Sequence, residues 1–305
     1  MSVLLAILAQ CLHVGAVLFA APVLTGLVGT LSSRLEGRES QPILRPWHDL
    51  MRLFRKQPVR AEGASALTHA VPLLSVVVSV VCVVLIPSFT LGMVSAPLAD
   101  LLTIAALLIL LRILQVLVVM DAGTGEGAVA AAETTRLAMA AEPALLLAVF
   151  VLALEAGGGN LDLILAVRTE GAMLPGPVVG LAIAALALLG WAEAARPSMD
   201  SVFSARDLAL ARFAEQLRLV AWCDLIGALA LPFGMAAADA GPVAWGIGLL
   251  AWAARLLLAA LAMSAVRAVG ASYRVPAMVV LALALCGAAT VLGLVGLGLA
   301  GGGGT

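Results

Sequence analysis

Apolar residues fall into eight long blocks along this chain, at about 3–30, 65–87, 98–120, 128–154, 173–193, 208–234, 243–265 and 276–299. A helix needs roughly 20 apolar residues to cross a bilayer, so the pattern predicts eight transmembrane helices. The polar segments between them are short. They leave no room for a soluble domain, and the chain reads as one membrane domain over 1–305, with a flexible glycine tail at 300–305. No internal repeat and no pair of broken helices of the transporter type is visible. The first block is too long for a signal peptide and lacks a basic leader, so it predicts an uncleaved first helix.

One interruption stands out. Residues 37–56 read GRESQPILRPWHDLMRLFRK, and they alternate oily and basic positions at helical spacing. Leu44, Trp47, Leu50, Met51 and Phe54 recur at steps of three and four, which marks one face of a helix. Arg45, His48, Asp49, Arg52, Arg55 and Lys56 occupy the other face. A short helix of this kind lies in a membrane interface or docks a partner there.

Composition supports the membrane assignment. The chain is 63% hydrophobic and 11% charged, with a mean hydropathy of +1.13. Soluble domains carry about 25% charged residues. The net charge of −1 points to no nucleic-acid partner. Cys11, Cys82, Cys223 and Cys286 sit singly in apolar runs, with no CxxC or Cys/His cluster. The spacing predicts no metal site in this chain, so any redox centre belongs to a partner.

Basic residues set the expected orientation. The loop after the first helix carries Arg34, Arg38, Arg45, Arg52, Arg55, Lys56 and Arg60; the loops after the fifth and seventh carry Arg196, Arg206, Arg267 and Arg274. In an eight-helix count these eleven lie on one side, against Arg168 alone on the other. The stretch 37–56 is therefore predicted to be cytoplasmic, with both termini outside.

Ionisable groups within the apolar blocks are costly and commonly functional. They are Arg112, Glu133, Arg136, Glu142, Arg212, Glu215, Arg218, Asp224, Arg255 and His13. Glu133 and Arg136 are three apart and can share a face. Arg212, Glu215 and Arg218 step by three, predicting a ladder along the sixth helix. Pro143 removes a backbone donor beside Glu142, where water is expected to enter. The spacing allows two readings: a buried track that moves protons, or ion pairs that lock helices together. His13, alone on its helix, is expected to be hydrogen-bonded in the core, and Arg212 to snorkel to the cytoplasmic surface.

Three segments resemble the complex I subunit 1 family, in particular the branch found in formate hydrogenlyase and other membrane-bound group 4 [NiFe] hydrogenases. In the first, Gly37, Arg38, Leu44, Pro46, Asp49, Leu50, Arg55 and Lys56 match the family's loop after helix 1. In the second, Asp121, Gly123 and Thr124 match its Asp-Thr-Gly stretch, and Glu142-Pro143 its Glu-Pro. In the third, Ser204, Arg206, Asp207, Leu208, Ala209, Leu210 and Arg218 match the segment opening helix 6. There are departures. Glu133 and Thr134 stand where the family has Arg-Glu, Arg212 where it has Glu, and the loop around Arg196, Pro197 and Asp200 is short.

The resemblance implies an all-α, multi-pass subunit of the cell inner membrane. It would anchor a peripheral [NiFe] hydrogenase or related oxidoreductase module, whose NiFe centre and iron–sulfur clusters lie in partner subunits. It also implies neighbouring antiporter-like membrane subunits and a part in coupling electron transfer to proton or sodium movement. Arg38, Arg45, Trp47, Asp49, Arg52, Arg55, Lys56, Asp121, Asp200, Arg206 and Asp207 are the implied docking residues. Three alternatives stay open: a quinone-site subunit with the quinone tail entering between helix 1 and the amphipathic helix, a scaffold whose ion path has decayed, and a stand-alone secondary transporter.

Overall fold

A computed structural model describes residues 2–57, 65–121, 123–170, 175–195, 202–268 and 275–301. Its long helices are α1 (Ser2–Leu35), α3 (Ala66–Leu85), α4 (Leu101–Asp121), α5 (Gly125–Ala156), α7 (Pro177–Ala194), α8 (Ala205–Ala230), α9 (Pro242–Ala268) and α10 (Val275–Gly301). Two shorter helices, α2 (Arg45–Phe54) and α6 (Leu161–Glu170), a 3-10 turn at Ala96–Leu98, and two two-residue strands, β1 (Thr90–Leu91) and β2 (Ala236–Ala237), complete the described elements.

Among the described residues, seven helices are long and apolar enough to cross a membrane. The remaining long helix, α8, carries Arg206, Asp207, Arg212, Glu215, Arg218 and Asp224. It packs against α1, α3, α7 and α9. Those neighbours bury Asp207 and Asp224 and half-bury Arg212, Glu215 and Arg218, so it completes the expected eight.

The helix ends follow local chemistry. The Ser65 hydroxyl accepts from Leu67 N–H at 3.1 Å, and that of Thr124 from Gly127 N–H at 3.1 Å. Both caps satisfy donors that the first turn leaves open. Gly157 closes α5 in the left-handed conformation at φ 74°, the usual place for glycine. Pro22, Pro72 and Pro143 lie inside helices. α5 runs through Pro143 as one helix, as the unbroken block 128–154 predicted; the proline removes only one backbone donor.

Two corrections concern the connections. The amphipathic helix is shorter than 37–56; helix begins at Arg45, with Pro46 in the first turn, and ends at Phe54. It buries Leu50 and Leu53 against Ala209, Leu208 and Phe213, whereas Leu44, Met51 and Phe54 stay exposed. The segment after α5, read as a plain loop, holds α6. Asn160 Oδ1 accepts from Leu163 N–H there, and Leu161, Ile164 and Leu165 form its buried face.

The bundle has two poles. At one, α2 packs on α8 and α1. Thr68 at the start of α3 donates to Asp121 at the end of α4, and His69 pairs with Asp207 at 3.2 Å. At the opposite pole β1 and β2 pair in parallel, Thr90 with Ala236 and Leu91 with Ala237. That pairing sets the ends of α3 and α8 side by side. Gln10 and His13 of α1 bond to residues 83–95 at this strand pole, and Gly293 of α10 lies beside Val178 and Leu154. The outer ends of α1 and α10 thus share one pole.

Candidate functional site

The centre of the bundle carries a continuous chain of charges. Arg112 on α4 is 5% exposed. Its guanidinium donates to Glu193 on α7, and its Nη1 lies 3.5 Å from Glu142 on α5. Glu193 in turn lies 3.8 Å from Nη1 of Arg218 on α8. Arg218 also donates to Gln115 Oε1 at 2.7 Å. Arg112 and Gln115 are three apart on α4 and so face the same way. The order Glu142, Arg112, Glu193, Arg218 alternates in sign across four helices. A buried arginine between two carboxylates is compensated, and breaking such a pair leaves a costly bare charge.

The two ends of this chain differ. Glu142 keeps 33% of its side chain exposed, so one end is open. At the other end a cavity of about 20 Å³ is lined by Ser75, Gln115, Glu215 and Arg218. One water needs roughly 10–15 Å³ of such space. Glu215 and Arg218 therefore border a common space that admits a water. From Glu215, α8 runs eight residues back to Asp207 at the α2 pole, roughly 12 Å at about 1.5 Å per residue.

A second polar cluster lies at the strand pole. Pro87 and Pro232 follow the ends of α3 and α8, and a residue before proline leaves helical conformation. The last carbonyls of both helices then lack partners. At α3 they are met by His13 on Val83 O and by Gln10 and Ser95 on Val84 O, while Arg255 of α9 binds the chain just past both helices, donating to Ser88 O and to the capping Leu231 O, the latter at 3.3 Å. A cation there also suits the negative ends of two helix dipoles. His13 bonds to Ser88 Oγ at 2.6 Å and to Val83 O at 2.9 Å, and Asp224 accepts from Trp252 Nε1 at 2.6 Å.

A larger cavity, of about 430 Å³, opens between α1, α2 and α8. Thr30, Gln41, Arg45, Asp49, Arg212 and Gln216 supply its polar lining. Its wall depends on Gly26: a Cβ there would sit 1.8 Å from Ile43 O. Thr30 Oγ1 also donates to Gln41 O at 2.8 Å. These two contacts hold the lead into α2 flat on α1.

The NADH dehydrogenase family model matches residues 6–297. The chain belongs to that family, the complex I subunit 1-like proteins. It is 28% identical over 232 residues to hydrogenase-4 component C of Escherichia coli (strain K12), covering 72% of this chain and 73% of that protein. It is 29% identical over 147 residues to formate hydrogenlyase subunit 4 of the same organism, 48% of each. In fold it is similar to a chain from the membrane-bound sulfane sulfur reductase, an archaeal respiratory membrane complex. The TM-score is 0.71 at 14% identity, covering 94% of this chain and 99% of that one.

Against the family frame, the sequence-predicted residues separate. Arg112, Glu142, Glu215 and Arg218 come together. Asp224 and Arg255 belong to the cluster at the strand pole. Glu133 and Arg136 join neither: both are exposed on α5, and no ion pair links them among the described residues. The expected ladder on α8 also divides. Arg212 faces the larger cavity toward α1 and α2, while Glu215 faces α3 and α4. Successive steps of three on a helix drift around its axis, so the stripe reaches two different neighbours. Glu193 and Gln115 were missed. Glu193 stands at the end of an apolar block and reads as the start of a loop, although a carboxylate within the last turn of a predicted span was a signal.

Of the docking residues, Asp207 is buried and held by His69, and Asp121 is held by Thr68. Asp49 is tied to Arg45 and Arg52, Arg38 lies 3.2 Å from Glu36, and Trp47 rests against Phe19 with ring centroids 5.7 Å apart. Arg52, Arg55, Lys56 and Arg206 remain exposed at the α2 pole. Asp200 and Arg196 lie outside the described residues. Among the described residues no group of three or more His, Cys, Asp or Glu side chains is placed to hold a metal ion.

Proposed function

We propose that this chain is an integral membrane subunit of a respiratory hydrogenase-like complex. It anchors a peripheral [NiFe] hydrogenase or related oxidoreductase module and takes part in coupling electron transfer to proton or sodium movement. The observation that carries this reading is the sign-alternating chain from Glu142 through Arg112 and Glu193 to Arg218. Such a chain responds to a charge at either end, because each ion's partner choice shifts the next. Family membership and the two bacterial relatives support the setting. The metal centres are assigned to the partner subunits, in keeping with the scattered cysteines of this chain.

The α2 pole is assigned to the cytoplasm, where basic residues of membrane proteins concentrate. Exposed Arg52, Arg55, Lys56 and Arg206 then form the docking surface, and both termini face outside. Replacing Arg52, Arg55 and Lys56 by Glu is expected to release the soluble module on washing; retention of the module would count against this surface. For coupling, Glu193→Gln in the assembled complex is expected to lower ion movement in vesicles by about tenfold or more, a barrier change of roughly 1.4 kcal/mol. Unchanged ion movement would refute the coupling role.

One observation favours a second reading, a quinone site. The cavity of about 430 Å³ lies between α1 and α2, where a quinone tail was expected to enter. Quinone in lipid extracts of the purified complex would support it.

A further inference from the structure

Glu133 and Arg136 lie eight and eleven residues into α5, within its apolar span Gly127–Ala156. Both are exposed, and neither makes an ion pair or hydrogen bond among the described residues. At about 1.5 Å per residue they lie roughly 12 and 16 Å from the start of the helix. Two unpaired charges on the outer wall of a membrane-spanning helix are expensive, and such groups are normally met by a partner.

The surface beside them is built for close approach. A groove of about 750 Å³ runs along the start of α5 by the end of α4. Gly125, Ala128, Ala132 and Thr135 step by three and four along its floor, and Arg136 stands in its wall. Small residues at this spacing let a second helix backbone come near, which is how helices associate where the hydrophobic effect is absent.

We infer that this groove seats one transmembrane helix of another membrane subunit, carrying a carboxylate opposite Arg136 and a basic side chain opposite Glu133. The occupant follows from the charges. Lipid tails supply neither sign, and a headgroup phosphate would answer Arg136 but repel Glu133. This inference rests on the chain being one subunit of a membrane complex.

The test places a photoreactive residue at Ala128 or Ala132 in the complete complex, with exposed Leu250 on α9 as the control position. Irradiation is expected to give an adduct with a single other membrane subunit from α5 and none with that subunit from Leu250. Arg136→Glu should reduce the adduct roughly tenfold, a loss of about 1.4 kcal/mol of association, and Arg136→Lys should retain most of it. Adducts with lipid alone, with a soluble subunit or with a second copy of this chain, in a complex that is otherwise intact, would overturn the inference and leave the subunit assignment standing. Failure of the unaltered chain to co-purify with any other subunit would overturn that assignment instead.

Discussion

Arg112 and Arg255 are both arginines buried in an apolar bundle, 5% and 4% exposed, yet they answer to different partners. Arg255 donates to two backbone carbonyls just past α3 and α8, Ser88 O and Leu231 O, with Asp224 as its electrostatic neighbour. Its hydrogen-bond acceptors cannot change charge, so through them Arg255 acts as a clamp. Arg112 meets two carboxylates on separate helices, and one of these meets a second arginine. Those acceptors can gain a proton or change partner, so the same residue type becomes part of a responsive chain. Burial of a charge is therefore a poor guide to its role; the chemistry of the acceptor decides it.

The contrast is broken most severely at the clamp. Arg255→Leu strands two carbonyls, at about 1–3 kcal/mol for each unpaired buried group. A marked fall in the unfolding temperature of the detergent-solubilised protein is expected; an unchanged value would remove the clamp from the fold. Glu142→Gln tests the other side. It removes the charge at the open end of the chain but keeps the shape. Proton or sodium movement in vesicles is expected to be abolished while the complex assembles, and undiminished movement would show that the chain does not end at Glu142. Arg112→Lys is expected to act more mildly. A lysine keeps the charge but lacks the planar fork that reaches two carboxylates, so transport should fall by about tenfold with assembly retained. Full activity would mean that charge alone suffices there.

The smallest effect lies at the strand pole, outside the spanning helices. Asp162 accepts from Gly92 N–H at 2.6 Å. Burial nevertheless raises its pKa above the ordinary carboxylate value, outweighing that hydrogen bond. A raised folded-state pKa favours folding below the unfolded value, about 3.9 for Asp, and costs stability as pH climbs through the folded one. Asp162→Asn should therefore give a slight rise in unfolding temperature at neutral pH that vanishes near pH 4. A rise that persists in acid would assign the effect to packing.

Much of the fold was legible because bilayer solvation imposes length and hydropathy on each helix. All eight long helices were found within a few residues, and the bias of basic residues toward one set of loops could be counted directly. The short elements were less visible. The oily stripe at 44–54 predicted α2, but whether Leu53 or Met51 turns inward depends on where α8 offers a seat. The site was half legible. A charge in an apolar run announces itself, as Arg112, Glu142 and Arg218 did, but periodicity along one helix does not say which helix stands opposite. Glu133 and Arg136 share a face of α5, yet that face looks outward. Glu193, at the edge of its run, proved to be the bridge.

What the amino-acid order determined by itself was the number of spans, the expected side of the basic stretch and the set of residues too polar for lipid. Those properties depend on local composition and a uniform apolar solvent. Only the tertiary structure decided which charges pair. Pairing depends on helix rotation and neighbour choice, and these are settled by contacts between residues far apart in the chain, such as Arg112 with Glu193 and Arg255 with Ser88.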